Sequence, residues 1–121
     1  MSQTLAQGII KAAYEETSHA AAECVLEAVR RKPDSMVCVA TGASPIGVYA
    51  ALARHRKELA RVGIVKLDEW GGLPMTDPAT CEVYIRKHIL TPWEVPPERF
   101  EGFISDAPDP ERECRRIRQR I

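Results

Sequence analysis

At 121 residues the chain has the length of a single domain. Its 17 basic and 17 acidic side chains cancel to a formal net charge of zero, with 45% hydrophobic and 28% charged residues. That balance is ordinary for a globular domain and leaves no electrostatic footprint for nucleic acid or a membrane surface. The histidines, His19, His55 and His88, are scattered without metal-ligand spacing. Cys24, Cys38, Cys81 and Cys114 lie far apart and form no Cys-x-x-Cys pair. Free thiols, a reducing cytoplasmic compartment and no zinc follow as expectations. Cys38, in an apolar run, and Cys24, on a predicted helix, are expected to be buried. No apolar run approaches the ~18 residues of a membrane span, and the N-terminus lacks an apolar core of signal-peptide length.

Residues 1–10 are weakly patterned and read as a frayed end or a short strand. Residues 14–32 are helical in pattern. Ala21, Val25, Ala28 and Val29, with Ala22 and Leu26 beside them, form the apolar stripe. Acids lead and bases trail, which suits the helix dipole. Met36-Val37-Cys38-Val39-Ala40 is a continuous apolar run and predicts a strand buried on both faces. Thr41-Gly42-Ala43-Ser44-Pro45 is a turn, and residues 46–59 are a second helix with Val48, Leu52 and Leu59 inward. Residues 62–67 are the next strand.

Asp77-Pro78 or Thr76 opens a third helix over residues 79–90, packing through Val83, Ile85 and Ile89. Residues 91–97 are proline-rich and irregular. Residues 100–104 predict a short strand and residues 106–110 a turn. Residues 111–121 form a charged helix with five arginines, read as a solvated face. Helices and strands alternate throughout, which implies parallel β with crossover helices, an α/β fold. Three strands are few for such a sheet, and the chain stops on a helix with no strand to follow.

Two turns carry the chemistry. Lys66-Leu67-Asp68-Glu69-Trp70-Gly71-Gly72-Leu73-Pro74 runs from a strand end into an acidic turn. In parallel sheets, ligands bind at the carboxyl ends of strands. Asp68 and Glu69 are therefore candidates, set against a plain solvated turn. Thr41-Gly42-Ala43-Ser44-Pro45 joins a strand to a helix. Gly42 allows close backbone approach, Ser44 can cap the helix or donate to an anion, and Pro45 suits a first turn. Free N–H groups and the helix dipole favour phosphate there, against a plain capped connection. The loop is neither a Walker loop nor Gly-x-Gly-x-x-Gly. Neighbouring parallel strands place both turns at one sheet edge: an anion cradle beside a carboxylate base. Proton transfer on a phosphorylated small molecule would use such a pair.

Three blocks now make the sequence recognisable: Ala40-Thr41-Gly42-Ala43-Ser44-Pro45-Ile46-Gly47-Val48-Tyr49, Lys66-Leu67-Asp68-Glu69-Trp70-Gly71-Gly72-Leu73-Pro74, and Asp77-Pro78-Ala79-Thr80-Cys81. In order and spacing they resemble the glucosamine-6-phosphate isomerase/deaminase family, over nearly the whole chain. Trp70 and Thr80-Cys81 are closer to its galactosamine-6-phosphate branch. The related 6-phosphogluconolactonases usually carry arginine where Trp70 stands. The resemblance implies a three-layer Rossmann-like parallel sheet with helices on both faces, formed by residues 1–121 as one α/β domain and incomplete at its C-terminal side. It also implies a reaction, in amino-sugar catabolism. A 2-amino-2-deoxyhexose 6-phosphate ring opens, a base moves a proton between C2 and C1, and water displaces ammonia to leave a ketohexose 6-phosphate. Asp68 matches the enolising base. Gly42, Ala43 and Ser44, with Thr41 adjacent, match the phosphate-holding loop. Glu69 joins the substrate-binding set in a structural or orienting role.

No cofactor and no metal are implied. The expected partner is a phosphorylated amino sugar, with no nucleic acid and no membrane. A homo-oligomer is one route by which a chain of this length would assemble a working site. Family members are about twice as long. Their second half opens with a Gly-x-Gly-x-x-Gly-His motif, whose histidine assists ring opening and which is absent here. His19 and His88 read as helix-surface or packing residues and His55 as solvated. The 121 residues therefore resemble the N-terminal half of an enzyme. Two other readings stand beside it: a non-catalytic sugar-phosphate binder or sensor domain, which would not need Asp68, and a lactonase, which Trp70 disfavours.

Overall fold

The computed structural model describes residues 8–121, so most of the weakly patterned N-terminal stretch lies outside it. In chain order the elements are α1 (Tyr14–Arg31), β1 (Met36–Val39), α2 (Ile46–Ala53), β2 (Gly63–Lys66), α3 (Cys81–Ile85), β3 (Phe100–Glu101) and α4 (Pro110–Arg120). The strands form one sheet of order β1-β2-β3, parallel throughout. The expected α/β alternation is what the chain builds. The predicted strand over residues 100–104 shrinks to Phe100–Glu101, stopping before Gly102, a residue that weakens a strand.

Register sorts the two sheet faces. Val37 lies opposite Ile64, Val39 opposite Lys66, and Ile64 opposite Phe100. Side chains alternate along a strand, so these share one face. That face carries the core: Val39 and Ile64 pack with Ala22, Leu26 and Val29 of α1 and with Tyr49 and Leu52 of α2. Ile85, Ile89 and Trp93 close it, Trp93 donating its indole N–H to the Tyr49 carbonyl at 2.9 Å. The opposite face carries Met36, Cys38, Val65 and Glu101. There α4 reaches Glu101 through Arg116 and Arg120, so the basic helix is partly tied down rather than wholly solvated.

Here the sequence reading of β1 needs correction. Met36 is 51% exposed and Cys38 is exposed, because β1 pairs on one side only and no described helix covers that end of the second face. Cys24, also expected inside, lies on the solvent side of α1. The α1 stripe runs Ser18, Ala22, Leu26 and Val29, which turns Ala28 outward. The second helix ends at Ala53 rather than near residue 59, and tight i→i+3 bonds such as His55 N–H to Leu52 carry the chain on to Leu59, which is buried as expected.

The third helix begins at Cys81, not at residue 79. Thr80 caps it, its hydroxyl accepting from Val83 N–H, while Asp77 accepts from Ala79 N–H in the turn before. It then widens into a π-helical turn over Arg86–Leu90. Such insertions cluster near functional sites and locally rotate the helix face. Here the turn brings both Ile89 and Leu90 into the core.

Candidate active site

The acidic turn starts where β2 ends. Leu67 N–H still donates to the Val39 carbonyl at 3.0 Å, so the parallel register runs one residue past the strand before the chain peels away. Extended once more, it sets Thr41 across from Asp68. The two candidate turns do share one sheet edge, as parallel neighbours must.

Asp68 is exposed. The protein contact recorded for its carboxylate is the Cys81 thiol, which donates to Oδ1 at 3.7 Å. The same sulfur lies 4.0 Å from the Thr41 hydroxyl oxygen. Cys81 thus links the two turns. Burial, then the charge of Glu69, push its thiol above the usual range, and Asp68 adds to this. The thiol is therefore held neutral, as a donor should be. Beside Asp68 opens a cavity of about 430 Å³ walled by Trp70, Gly71, Phe103, Ile104 and Cys114. Thr41, Gly42, Ala43 and Ser44 do not line it. The base and the loop are neighbours along the edge rather than walls of one pocket.

Glu69 faces the other way. Its carboxylate accepts from Lys66 Nζ at 2.6 Å and from the N–H groups of Trp70, Cys81 and Glu82 at 2.8, 2.8 and 2.9 Å. Its side chain is 2% exposed. Burial alone would raise its pKa, but the Lys66 ammonium and these three N–H donors outweigh burial and hold it below the usual carboxylate range. Two of those donors are at the α3 N-terminus, where a carboxylate is favoured. Glu69 therefore staples the acidic turn to α3. The carboxylate is thereby turned away from solvent.

Sequence reasoning missed Lys66 and Glu82. Lys66 sits at the end of a buried strand, 1% exposed, and also donates to Glu82 at 2.9 Å. Arg86 reaches the other Glu82 oxygen at 2.7 Å. The signal was there: a lysine closing an apolar strand directly before an acid pair needs counter-charges.

The loop after β1 also departs from expectation. Pro45, not Ser44, occupies the N-cap position of α2, and no side chain caps it. The Gly47 N–H is taken by the Tyr14 hydroxyl at 2.9 Å. The α2 terminus therefore offers fewer donors than the sequence suggested. Gly42, at φ +104°, needs the left-handed freedom of glycine. Among the described residues, the N–H groups of Gly42, Ala43 and Ser44 have no protein acceptor.

Among the described residues there is no group of three or more His, Cys, Asp or Glu fit to hold a metal ion, and no helix is long and apolar enough to cross a membrane. His88 packs against Tyr84, and His55 pairs with Glu58.

No protein-family model matches the chain. Individual proteins do. A protein of Escherichia coli K12 bearing the name deaminase AgaI is 35% identical over 108 residues, which is 86% of this chain and 43% of the relative. Glucosamine-6-phosphate deaminase 1 of Giardia intestinalis is 37% identical over 80% of this chain and 38% of its own length. Glucosamine-6-phosphate deaminase 1 of Bacillus subtilis (strain 168) is 34% identical over 89% and 46%. The chain spans about half the length of the curated relatives it matches, or somewhat less. Among solved structures, a monomeric glucosamine-6-phosphate deaminase of the NagB superfamily superposes with a TM-score of 0.82 at 32% identity, over 90% of this chain and 47% of that one. A 6-phosphogluconolactonase from Trypanosoma brucei superposes at 0.67 with 19% identity, covering 93% and 46%, which shows shared fold alone.

Proposed function

We infer that a chain related to the glucosamine-6-phosphate deaminases over about half of their length carries the enolising base and the phosphate loop of an aminosugar-phosphate isomerase/deaminase. The reaction converts galactosamine 6-phosphate or glucosamine 6-phosphate, with water, into a ketohexose 6-phosphate and ammonia. The observation that carries this reading is that Asp68 and the Thr41–Ser44 loop, each following one of two neighbouring parallel strands, stand side by side at one sheet edge, with the Cys81 thiol touching both Asp68 and Thr41.

In the ring-opened substrate the proton at C2 is acidified by the C1 carbonyl. The Asp68 carboxylate removes that proton and returns it at C1. As the amino nitrogen gives up one proton and the C1 oxygen takes one up, the nitrogen is left on C2 as an imine beside a C1 hydroxymethyl group, and water hydrolyses that imine to the ketone and ammonia. A carboxylate can do this if it lies within roughly 2.6–3.2 Å of the proton's carbon in the bound state. The exposed Asp68, held by one weak donor, is free to serve as the base, whereas the buried Glu69 serves by fixing the turn. The N–H groups of Gly42, Ala43 and Ser44 take the 6-phosphate, with Thr41 at the margin. Trp70 and the Thr80-Cys81 pair favour galactosamine 6-phosphate over its epimer, and a cytoplasmic site of action accords with the free thiols.

The test is ammonia release by the purified chain, with the two hexosamine phosphates in parallel and 6-phosphogluconolactone as a third substrate. Release from a hexosamine phosphate that disappears in Asp68→Asn is the expected result. Binding without release would favour the sugar-phosphate-binder reading. Lactone hydrolysis would move the chain to the other enzyme class.

A further inference from the structure

The chain has three tyrosines, and all three aim their hydroxyls at the backbone of one loop. Tyr49 of α2 donates to the Ala40 carbonyl at 2.6 Å and accepts from Ala40 N–H at 3.1 Å. Tyr84 of α3 donates to the Gly42 carbonyl at 2.5 Å. Tyr14 of α1 accepts from Gly47 N–H at 2.9 Å and lies 3.1 Å from both the Ala43 and Ser44 carbonyls, to one of which its proton goes. Three helices thus send one hydroxyl each to an eight-residue stretch.

The pattern of what is bound matters more than the number of bonds. The hydroxyls occupy the carbonyls of residue 40, residue 42 and the pair 43/44. The N–H groups of Gly42, Ala43 and Ser44 engage no acceptor among the described residues. A bare carbonyl oxygen repels an anion, whereas consecutive N–H groups form a cradle for one. A loop with its acceptors pinned and its donors free is preorganised for an anion and does not have to be reorganised on binding.

Tyr14 is 54% exposed, so its ring contributes little to the core and its hydroxyl accounts for most of what it does. Tyr84 packs its ring against His88, with centroids 4.5 Å apart and the planes tilted by 44°. Burial first, and then Tyr14 nearby, push the Tyr84 hydroxyl above its usual range.

We propose that Tyr14 and Tyr84 are positioning residues that pin the carbonyls of the 40–47 loop and turn the N–H groups of Gly42, Ala43 and Ser44 toward the 6-phosphate of the substrate. The proposal rests on the functional reading above and deepens its phosphate site. Tyr49, buried and doubly bonded to Ala40, anchors the loop at its strand end.

The test is amide NMR on the whole 121-residue chain, titrated with inorganic phosphate and with glucosamine 6-phosphate, in wild type, Tyr14→Phe and Tyr84→Phe. Phenylalanine keeps the ring and removes only the hydroxyl. In the wild type the Gly42, Ala43 and Ser44 amides should shift with both ligands. Each variant should bind phosphate about fivefold more weakly, the factor one ordinary hydrogen bond is worth. A merely structural role would lower the melting temperature and leave phosphate affinity unchanged below it. Such a result overturns the proposal and leaves the functional reading standing. Absence of shifts at these three amides in the wild type overturns both together. Tyr14 and Tyr84 reach the loop from different helices, so each variant tests the proposal independently of the other's folding.

Discussion

Lys66 and Glu69 are joined by a 2.6 Å salt bridge with both side chains shut away from solvent, and Asp68 lies between them in the chain, facing out. The flanking residues are pinned inward, so the two residues between them, Leu67 and Asp68, are presented outward. Glu82 completes the buried group from α3 at 2.9 Å, and Arg86 ties it to the surface. Burying such charges is costly unless every one is partnered. Here each carboxylate has a cation, and Glu69 has three backbone donors besides. What the arrangement secures is the geometry of the sheet edge that carries Asp68.

Removing the cation should therefore be severe. Lys66→Met keeps most of the side-chain volume and leaves two carboxylates buried without their shared partner. A loss of about 3–5 kcal/mol is expected, the range for breaking a buried pair from one side. Urea denaturation of both proteins measures it. A loss below about 1 kcal/mol would mean that water reaches the site once the ammonium is gone.

Acid should weaken the fold through the same group. The folded-state pKa of Glu69 is depressed, and that of Glu113 is too, first by its hydrogen bond to Arg116. A depressed carboxylate stabilises the fold above its unfolded pKa, about 4.3 for glutamate. That stability is lost as pH falls from there through the lower folded values. Chemical denaturation at a series of pH values should show a plateau at neutral pH and a decline below about pH 4.3. In Glu69→Gln the decline should be shallower.

Which parts of this were legible in the sequence follows from where the information resides. The α/β alternation and the meeting of the two turns depend on local pattern and on the rule that parallel neighbours align their ends, so they can be read residue by residue. The exposure of Cys38 cannot, because an apolar run does not say whether a second layer covers it. Ala28 shows the same limit on a helix: the stripe was correct to within a residue, but which flank faces the core depends on where α2 sits. The tyrosine hydroxyls were invisible because Tyr14 and the loop it binds lie 29 residues apart and are joined only by helix packing. Lys66 stands within the motif, but its burial depends on Glu82 arriving from α3, 16 residues further along the chain.

The assignment of Asp68 as base makes a kinetic prediction. Asp68→Asn preserves shape and removes the proton acceptor, so sugar-phosphate affinity should stay within about twofold while turnover falls by roughly 10²–10⁴, the usual contribution of a general base. Single-turnover kinetics with either hexosamine phosphate, alongside calorimetric binding, separate the two effects. Turnover close to wild type would remove Asp68 from its role.

Close helix packing behind the loop should be intolerant of a methyl group. A Cβ at Gly47 would lie 2.4 Å from the Ser18 hydroxyl oxygen, 2.9 Å from its Cβ and 3.0 Å from the Tyr14 ring. Gly47→Ala must push α1 away from α2 and disturb the Tyr14 bond as well. Overpacking of this kind costs about 1–3 kcal/mol. Thermal melts should show the loss, and Ser18→Gly in the same chain should recover part of it by clearing the obstructing side chain.

Cysteine reactivity gives a last check on the link between the two turns. Cys24, Cys38 and Cys114 are exposed, while Cys81 is buried with its thiol held neutral by burial and by the charges of Glu69 and Asp68. The thiolate is the reacting species, so alkylation should follow exposure and ionisation together. Iodoacetamide at pH 8, read by peptide mass spectrometry, should modify the three exposed thiols quickly and spare Cys81. Asp68→Asn removes one of the charges that hold the thiol neutral, so Cys81 should react faster in that variant. Equal rates at Cys81 in the two proteins would show that the 3.7 Å contact between thiol and carboxylate is too weak to couple them.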